Sequence, residues 1–322
     1  MMDACFARCD ISSRWLDLCI LLPSGPQAAR FGNDVAGRDA VVSALRDAGM
    51  ALVVIEASGG YAAGLLAALW QAGLAGGVGR RGWRWRWSRR GRMRHFARAD
   101  GQLANTGRID AQVLALFARR MRPASTPPIA ESRIVLRGLV ARRRVLVATR
   151  ADEMKRLRQS ALPRIQTSVA DHIGWPGAEI AGLATEIRAA IRSCRDNAAR
   201  EGLLRSLPGI GPHTAAVLLA ELPELGILGP RQIAALAGLA PHPRQSGAWK
   251  GRSFISGGRK PVRDALCMAA PSAVFRSTAR LADIYQRLRK AGKPHKLALV
   301  AVMRKMLVTL NAMLSHNQAF TP

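Results

Sequence analysis

The sequence predicts an α/β domain at the N-terminus, a pair of long helices after it, and a mainly α domain at the C-terminus. Three observations lead there. Residues 6–22 (FARCDISSRWLDLCILL) read as strand, turn and strand, and residues 51–57 (ALVVIEA) form a continuous apolar run that suits a buried strand. Residues 132–161 and 178–201 carry apolar side chains at helical spacing. Residues 203–222 (LLRSLPGIGPHTAAVLLAEL) read as helix, tight turn, helix. The expected boundaries are 1–125 for the first domain, 126–200 for the helical (coiled-coil) linker and 201–322 for the last domain.

Charge narrows the function. The 322 residues hold 49 Lys and Arg against 21 Asp and Glu, a formal charge of +28. Such an excess implies a polyanionic partner, and its spread along the chain favours nucleic acid over a membrane surface. Cys5, Cys9, Cys19, Cys194 and Cys267 show no metal-binding spacing, which fits reduced thiols. The first residues, MMDACFARCD, lack an apolar signal core, so a cytoplasmic location is expected. Residues 57–79 are uncharged but rich in glycine, and read as an amphipathic helix and loop rather than a membrane span.

Asp10 falls where the first strand ends, and Glu56 closes the apolar strand before Ser58, Gly59 and Gly60 lead into a helix with Leu65, Leu66 and Leu69. A carboxylate in an apolar strand is costly unless it binds something. The two acids are therefore candidates for one metal site, or else simple strand-end acids. Asp110 opens a helix striped by Leu114, Phe117 and Met121, and could cap that helix or face the sheet. Between them, residues 76–93 (GGVGRRGWRWRWSRRGRM) alternate Arg with Trp and contain no acid, without the character of a buried strand. They read either as a strip that stacks on bases and grips phosphate or as a solvated basic loop.

The prolines of residues 123–128 break the chain. Val135, Leu139, Leu146, Met154 and Leu157 mark one helical face, interrupted by Arg142 to Arg144. Ile180, Leu183, Ile187, Ile191 and Cys194 mark the next. A Pro/Gly turn at 174–177 would separate them into an antiparallel pair, packed within one chain or between copies. A last helix from Lys296 to Ser315 turns Leu299, Val302, Met303, Met306, Leu307 and Leu310 inward, with Arg304 and Lys305 opposite.

The densest signal lies between the last two regions. Gly209 and Gly211 let the backbone turn sharply, so that N–H groups at a helix N-terminus can face a phosphate. This is the helix-hairpin-helix pattern, which grips nucleic-acid backbone without reading bases. From Arg244 to Arg263 the chain then carries six cations (Arg244, Lys250, Arg252, Arg259, Lys260, Arg263), no carboxylate, and interleaved Gly and Ser. A flexible cationic loop of this kind suits polyphosphate. His242 stands four residues before Ser246 and could assist a proton transfer.

At these residues the chain resembles the insertion sequence 110 family of transposases. The likeness rests on LPGIGPHTAAVLLAELPELG, LAALAGLAP, SGAWKGRSFISGGRKPVRDAL and KLALVAVMRKMLVTLNAML, in that order. Towards the N-terminus the blocks DISS, VIEASG and ANTGRIDA resemble the same family's first domain. The resemblance implies a ribonuclease-H-like fold of the RuvC type there, with four acids in the order Asp, Glu, Asp, Asp holding Mg²⁺ or Mn²⁺. Asp10, Glu56 and Asp110 match the first, second and fourth, while the third falls on Gly107. It further implies that Ser246 is the nucleophile that attacks DNA, that a guide RNA is a partner, and that the helical region associates protomers. Where the family has a short apolar strand, this chain has the Arg/Trp stretch, so a compensated reading-frame slip becomes a third explanation for residues 76–93. The expected function is a DNA recombinase acting through a phosphoserine. The alternatives are a catalytically impaired nucleic-acid-binding remnant, and a junction-resolving nuclease that uses the acidic domain alone.

Overall fold

Alternating apolar residues fold the N-terminal part of the chain into a mixed sheet. The computed structural model describes residues 5–22, 24–56, 60–73, 84–88, 99, 130–246, 249–251, 253–276 and 279–321. They divide into two compact units, Met1–Pro128 and Ile129–Pro322.

In the first unit, β1 (Cys5–Ile11), β2 (Trp15–Leu22) and β3 (Gly25–Gly32) form an antiparallel meander. Helix α1 (Val35–Asp47) follows, its first turn capped by the Asp34 carboxylate, which accepts from the Gly37 N–H at 2.8 Å. Strand β4 (Met50–Glu56) pairs in parallel with β1, and helix α2 (Ala63–Gln71) crosses over to β5 (Arg84–Ser88), parallel to β4. The sheet order is β3-β2-β1-β4-β5. Ala7, Cys9 and Ile11 alternate onto the face that meets Val41, Leu45, Leu65 and Leu69 of the two helices. Full burial of one such leucine is worth about 1.5–3 kcal/mol.

Two strands correct the sequence reading. β3 was not expected, because GPQAARFG is exposed through most of its length and has no apolar alternation. Its place is set by the ladder and by the Asp17–Arg30 pair at 2.6 Å on neighbouring strands. β5 lies inside the Arg/Trp stretch, so a solvated loop is the wrong description of residues 84–88. An Arg/Trp alternation has the two-residue period of a strand, and a backbone ladder asks for no apolar run.

The second unit opens with a helical hairpin, α3 (Glu131–Gln159) and α4 (Pro163–Arg192). The turn expected at 174–177 is instead at Ser160 to Leu162. Leu162 is extended (φ −88°, ψ 118°), as the residue before a proline must be, and Pro163 takes the first helical position. Gly174, Pro176 and Gly177 all lie within α4, and Pro176 is buried. Packing along α3 holds the helix through this break: the Arg142 guanidinium sits 5.9 Å from the Trp175 ring, and His172 lies 3.6 Å from the Glu153 carboxylate.

Then come α5 (Arg195–Ser206), α6 (Pro212–Glu221), α7 (Pro230–Ala237), a ribbon of β6 (Gln245–Ser246) and β7 (Trp249–Lys250), α8 (Lys260–Arg276), α9 (Ala279–Lys290) and α10 (His295–Ser315). Their core is continuous with the near end of the hairpin, since Leu136, Val140, Ile187 and Ile191 join Leu218, Leu266, Val302 and Met306 in one cluster. The near end of the hairpin is thus rooted in the C-terminal core. By composition α10 is long and apolar enough to cross a membrane, but its Val302, Met303, Met306, Leu307 and Leu310 fill this core. Buried Asn311 ties it to the turn before α7, accepting from the Gly226 N–H (2.9 Å) and donating to the Leu228 carbonyl (2.8 Å).

Candidate functional site

Ser246 sits on a loop whose two ends are pinned. Helix α7 stops at Gly238, whose left-handed conformation (φ 71°, ψ 32°) turns the chain out of the helix. The outgoing strand meets the returning one through His242 and Phe254, which exchange backbone hydrogen bonds of 2.7 and 3.1 Å. The Gly251 N–H donates to the Arg244 carbonyl at 2.8 Å, and Ser246 then pairs with Trp249 across the ribbon.

The return is fixed by glycines and arginines. Gly257 and Gly258 both have φ of 66°, and a Cβ at Gly258 would strike the backbone of Ala237 and Gly238. Gly258 thus serves a close backbone approach inside the protein, whereas Gly257 has open space at its Cβ position and answers only to its φ. Arg259 donates to both Glu224 carboxylate oxygens (2.5 and 2.6 Å) and to the Glu221 carbonyl (2.7 Å). Arg263 donates to the carbonyls of Ala237 (3.0 Å) and Gly257. Of the cations expected to bind nucleic acid, Arg259 and Arg263 are therefore engaged internally. Burial is the largest single influence on Glu224 and works against its charge, but the Arg259 hydrogen bond, a backbone hydrogen bond and the charges of Arg259 and Arg133 together hold the carboxyl below its ordinary pKa. Lys260 is exposed and pairs with Asp264 at 2.5 Å. Arg252 and the Lys250 side chain lie outside the described residues.

The Ser246 side chain is exposed, and no hydrogen bond to it is found among the described residues. His242 lies four residues before it, at the bridge to Phe254. The His242 ring is 5.8 Å from the Phe254 ring, and the Arg244 guanidinium lies 5.0 Å from the centre of Phe254 on the other strand. Trp249 is 59% exposed directly opposite the serine. Trp249 and Phe254 went unnoticed in the sequence, although aromatics interleaved with cations and glycines were the available signal.

The helix-hairpin-helix expectation corresponds to α5, a turn at Leu207 to Gly211, and α6. Gly209 has φ of 90°, and its missing Cβ would lie 2.9 Å from the Ala269 carbonyl oxygen and the Ala273 Cβ of α8. That glycine is required by internal packing. Gly211 is the exposed N-cap of α6, with nothing against its Cβ position. Beside it Arg143 of α3 lies 3.1 Å from His213 Nδ1. Burial, then the Arg143 charge, lower the His213 pKa, so the imidazole is neutral and accepts from the guanidinium. A fixed cation thus stands at the open helix terminus.

In the first unit, Cys9 pairs with Ile55, so Asp10 and Glu56 take adjacent register positions at the C-terminal ends of two parallel strands. Asp10 accepts from the Ile11 N–H (3.0 Å) and pairs with buried Arg8 (2.9 Å). The Glu56 side chain, Asp110 and Gly107 lie outside the described residues. Among the described residues no group of three potential metal ligands forms. The register brings the positions of two carboxylates to neighbouring strand ends, and carboxylate oxygen is the donor type that Mg²⁺ or Mn²⁺ prefers. The thiol of Cys9 is pushed up to about 12, first by burial and then by Asp10, which leaves it inert.

Residues 201–286 match a family described as the transposase IS116/IS110/IS902 family, and residues 9–165 match a DEDD transposase domain of the IS110 type. The second match suggests a ribonuclease-H-like fold for the sheet-bearing unit. The chain is 29% identical over 233 residues to the pilin gene-inverting protein of Moraxella bovis, covering 70% of each, and equally so to that of Moraxella lacunata. It is 35% identical over 115 residues to the insertion element IS110 43.6 kDa protein of Streptomyces coelicolor, covering 35% of this chain and 28% of that one.

Proposed function

Because the chain belongs to the IS110 family of transposases, we propose that it cuts and rejoins DNA for a mobile element through a phosphoserine at Ser246. The observation that carries this reading is the posture of Ser246. Its hydroxyl is exposed on a short ribbon that is pinned at both ends and flanked by Arg244 and Trp249.

In the reaction, Ser246 Oγ bonds to a backbone phosphorus as a sugar oxygen leaves and takes up the proton that the serine gives. The ester is conserved in the phosphoserine, so a second sugar hydroxyl can displace the serine without an outside energy source. This economy suits inversion, the process for which the Moraxella relatives are named. Arg244, Lys250, Arg252 and Lys260 neutralise the flanking phosphates, and Trp249 stacks on a base beside the reacting one. The N-terminus of α6 at Gly211, with Arg143, takes a further phosphate. Arg259, Arg263 and Gly209 position the backbone instead. Asp10, Glu56 and Asp110 would hold Mg²⁺ or Mn²⁺, which supplies charge stabilisation at the phosphoryl oxygens. The +28 charge and the family support a guide RNA as second partner. Exposed Val135, Val145 and Val147 on α3 support association of two copies through the hairpin.

Ser246→Ala is expected to abolish a covalent protein–DNA adduct on denaturing gels while leaving DNA binding within about twofold, since binding rests on cations and backbone. An adduct that survives the substitution would move the nucleophile elsewhere. The absence of any adduct from the parent chain favours the second reading, an impaired remnant, for which Gly107 is the specific observation. A glycine removes a charge and a ligand from the acidic set. Gly107→Asp should therefore raise strand cleavage in Mg²⁺ by tenfold or more. Full activity that the aspartate leaves unchanged would remove position 107 from the metal site.

A further inference from the structure

We propose that a groove between α10 and the serine loop receives an unpaired nucleotide, holding its base against Phe254 and its phosphate on the cations of α10. The cavity measures about 640 Å³, within the range of small-molecule sites. Its floor is a flank of α10 at the edge of the core, where Leu297, Val300, Ala301 and Val308 recur at helical spacing. Its opposite wall is Phe254, which is 42% exposed and backed by Arg244 and His242. Lys296, Arg304 and Lys305 of α10 line the same cavity. No ion pair to these three is found among the described residues.

An apolar slot with an aromatic wall and a cationic rim matches one chemistry well. A nucleobase offers a flat face for Phe254 and the aliphatic floor, and its phosphate answers the lysines and arginine. Among the described residues Ser253 alone lines the slot with a hydroxyl, so the slot holds a base without strongly selecting which one. Charge also decides against a neutral apolar partner, since Lys296, Arg304 and Lys305 would then have to be covered or left at the edge of the contact.

The groove shares its wall with the ribbon that carries Ser246. Phe254 is bridged to His242, and the strand from His242 leads directly to the serine. A nucleotide seated here would fix the register of its strand relative to the nucleophile. The inference rests on the recombinase reading, through its requirement that single-stranded nucleic acid reach this loop.

The test uses the full chain and 2-aminopurine oligonucleotides of one sequence as single-stranded DNA, single-stranded RNA and duplex DNA. Leu297→Glu puts a carboxylate into the groove at an exposed position, Leu297→Lys is its charge control, and Phe254→Ala removes the stacking wall. Single strands should bind the parent chain with a change in 2-aminopurine emission. That affinity should fall roughly 5- to 100-fold in Leu297→Glu and Phe254→Ala, the range for loss of one stacked base. Leu297→Lys should retain it, and duplex affinity should stay within about twofold in all three. A response from DNA alone or RNA alone identifies the strand that the groove serves. Equal single-strand affinity in parent, Leu297→Glu and Phe254→Ala overturns the groove while leaving the recombinase reading intact. So does a loss of self-association, seen by sedimentation, with strand binding unchanged, because it assigns the groove to a protein. A parent chain that binds none of the three probes overturns the recombinase reading itself.

Discussion

The Glu224–Arg259 pair shows how a single contact can serve a distant nucleophile. Arg259 follows the two glycines that close the serine loop, and Glu224 lies in the turn after α6. Glu224→Gln keeps the shape but loses the charge-assisted bonds, which should cost about 1–3 kcal/mol. Thermal unfolding at pH 7 should show a lower Tm, and adduct formation should slow because the ribbon loosens. The pH dependence has a definite sign. The folded-state pKa of Glu224 is lowered, so its contribution is complete above the ordinary carboxylate value. It is lost as pH falls through the folded value. The Tm gap between parent and variant should close in acid, and a gap that persists there would remove the ion pair as its cause. None of this was visible in the sequence. Arg259 and Arg263 look the same as phosphate-binding arginines until their partners are known, and Glu224 stands 35 residues upstream. The neighbours of Ser246 mark a glycine-rich cationic loop, but they do not single out one serine among Ser246, Ser253 and Ser256; that choice rests on the family resemblance alone.

At the scale of elements, legibility followed burial. β1, β2 and β4 could be read because one or both of their faces meet a core, which imposes an apolar pattern. β3 is mostly exposed and β5 alternates Arg with Trp, so only pairing with a neighbour defines them. The helical hairpin was recognised, but its turn was placed at the wrong proline. Pro163 ends one helix and starts the next, whereas Pro176 is carried inside α4 by contacts with α3. A proline there lacks the N–H that would bond the His172 carbonyl four residues earlier. Pro176→Ala restores that bond at the loss of little volume, and should stabilise the second unit by about 1 kcal/mol. Calorimetry would show it as a Tm rise of a few degrees; a fall would mean that the buried ring contributes more than the missing bond.

At the scale of the whole molecule, each unit has its own core, and among the described residues none is common to the two clusters. Residues 129–322 expressed alone should therefore unfold cooperatively, with a Tm within a few degrees of the corresponding transition in the full chain. The fragment should also bind DNA with a steep dependence on salt, since it keeps the hairpin turn and the serine loop. A fragment that melts without cooperativity would show that the N-terminal unit completes the C-terminal core. The inert thiol of Cys9 gives the separation of cores a practical use. Cys9 is fully buried in β1, in the N-terminal unit, while Cys267 is exposed on α8, in the other. A thiol reagent reaches Cys267 at once but meets Cys9 only when the sheet opens. The rate at which Cys9 is labelled thus becomes a clock for the opening of one unit, ticking within an intact chain while the other unit stays folded.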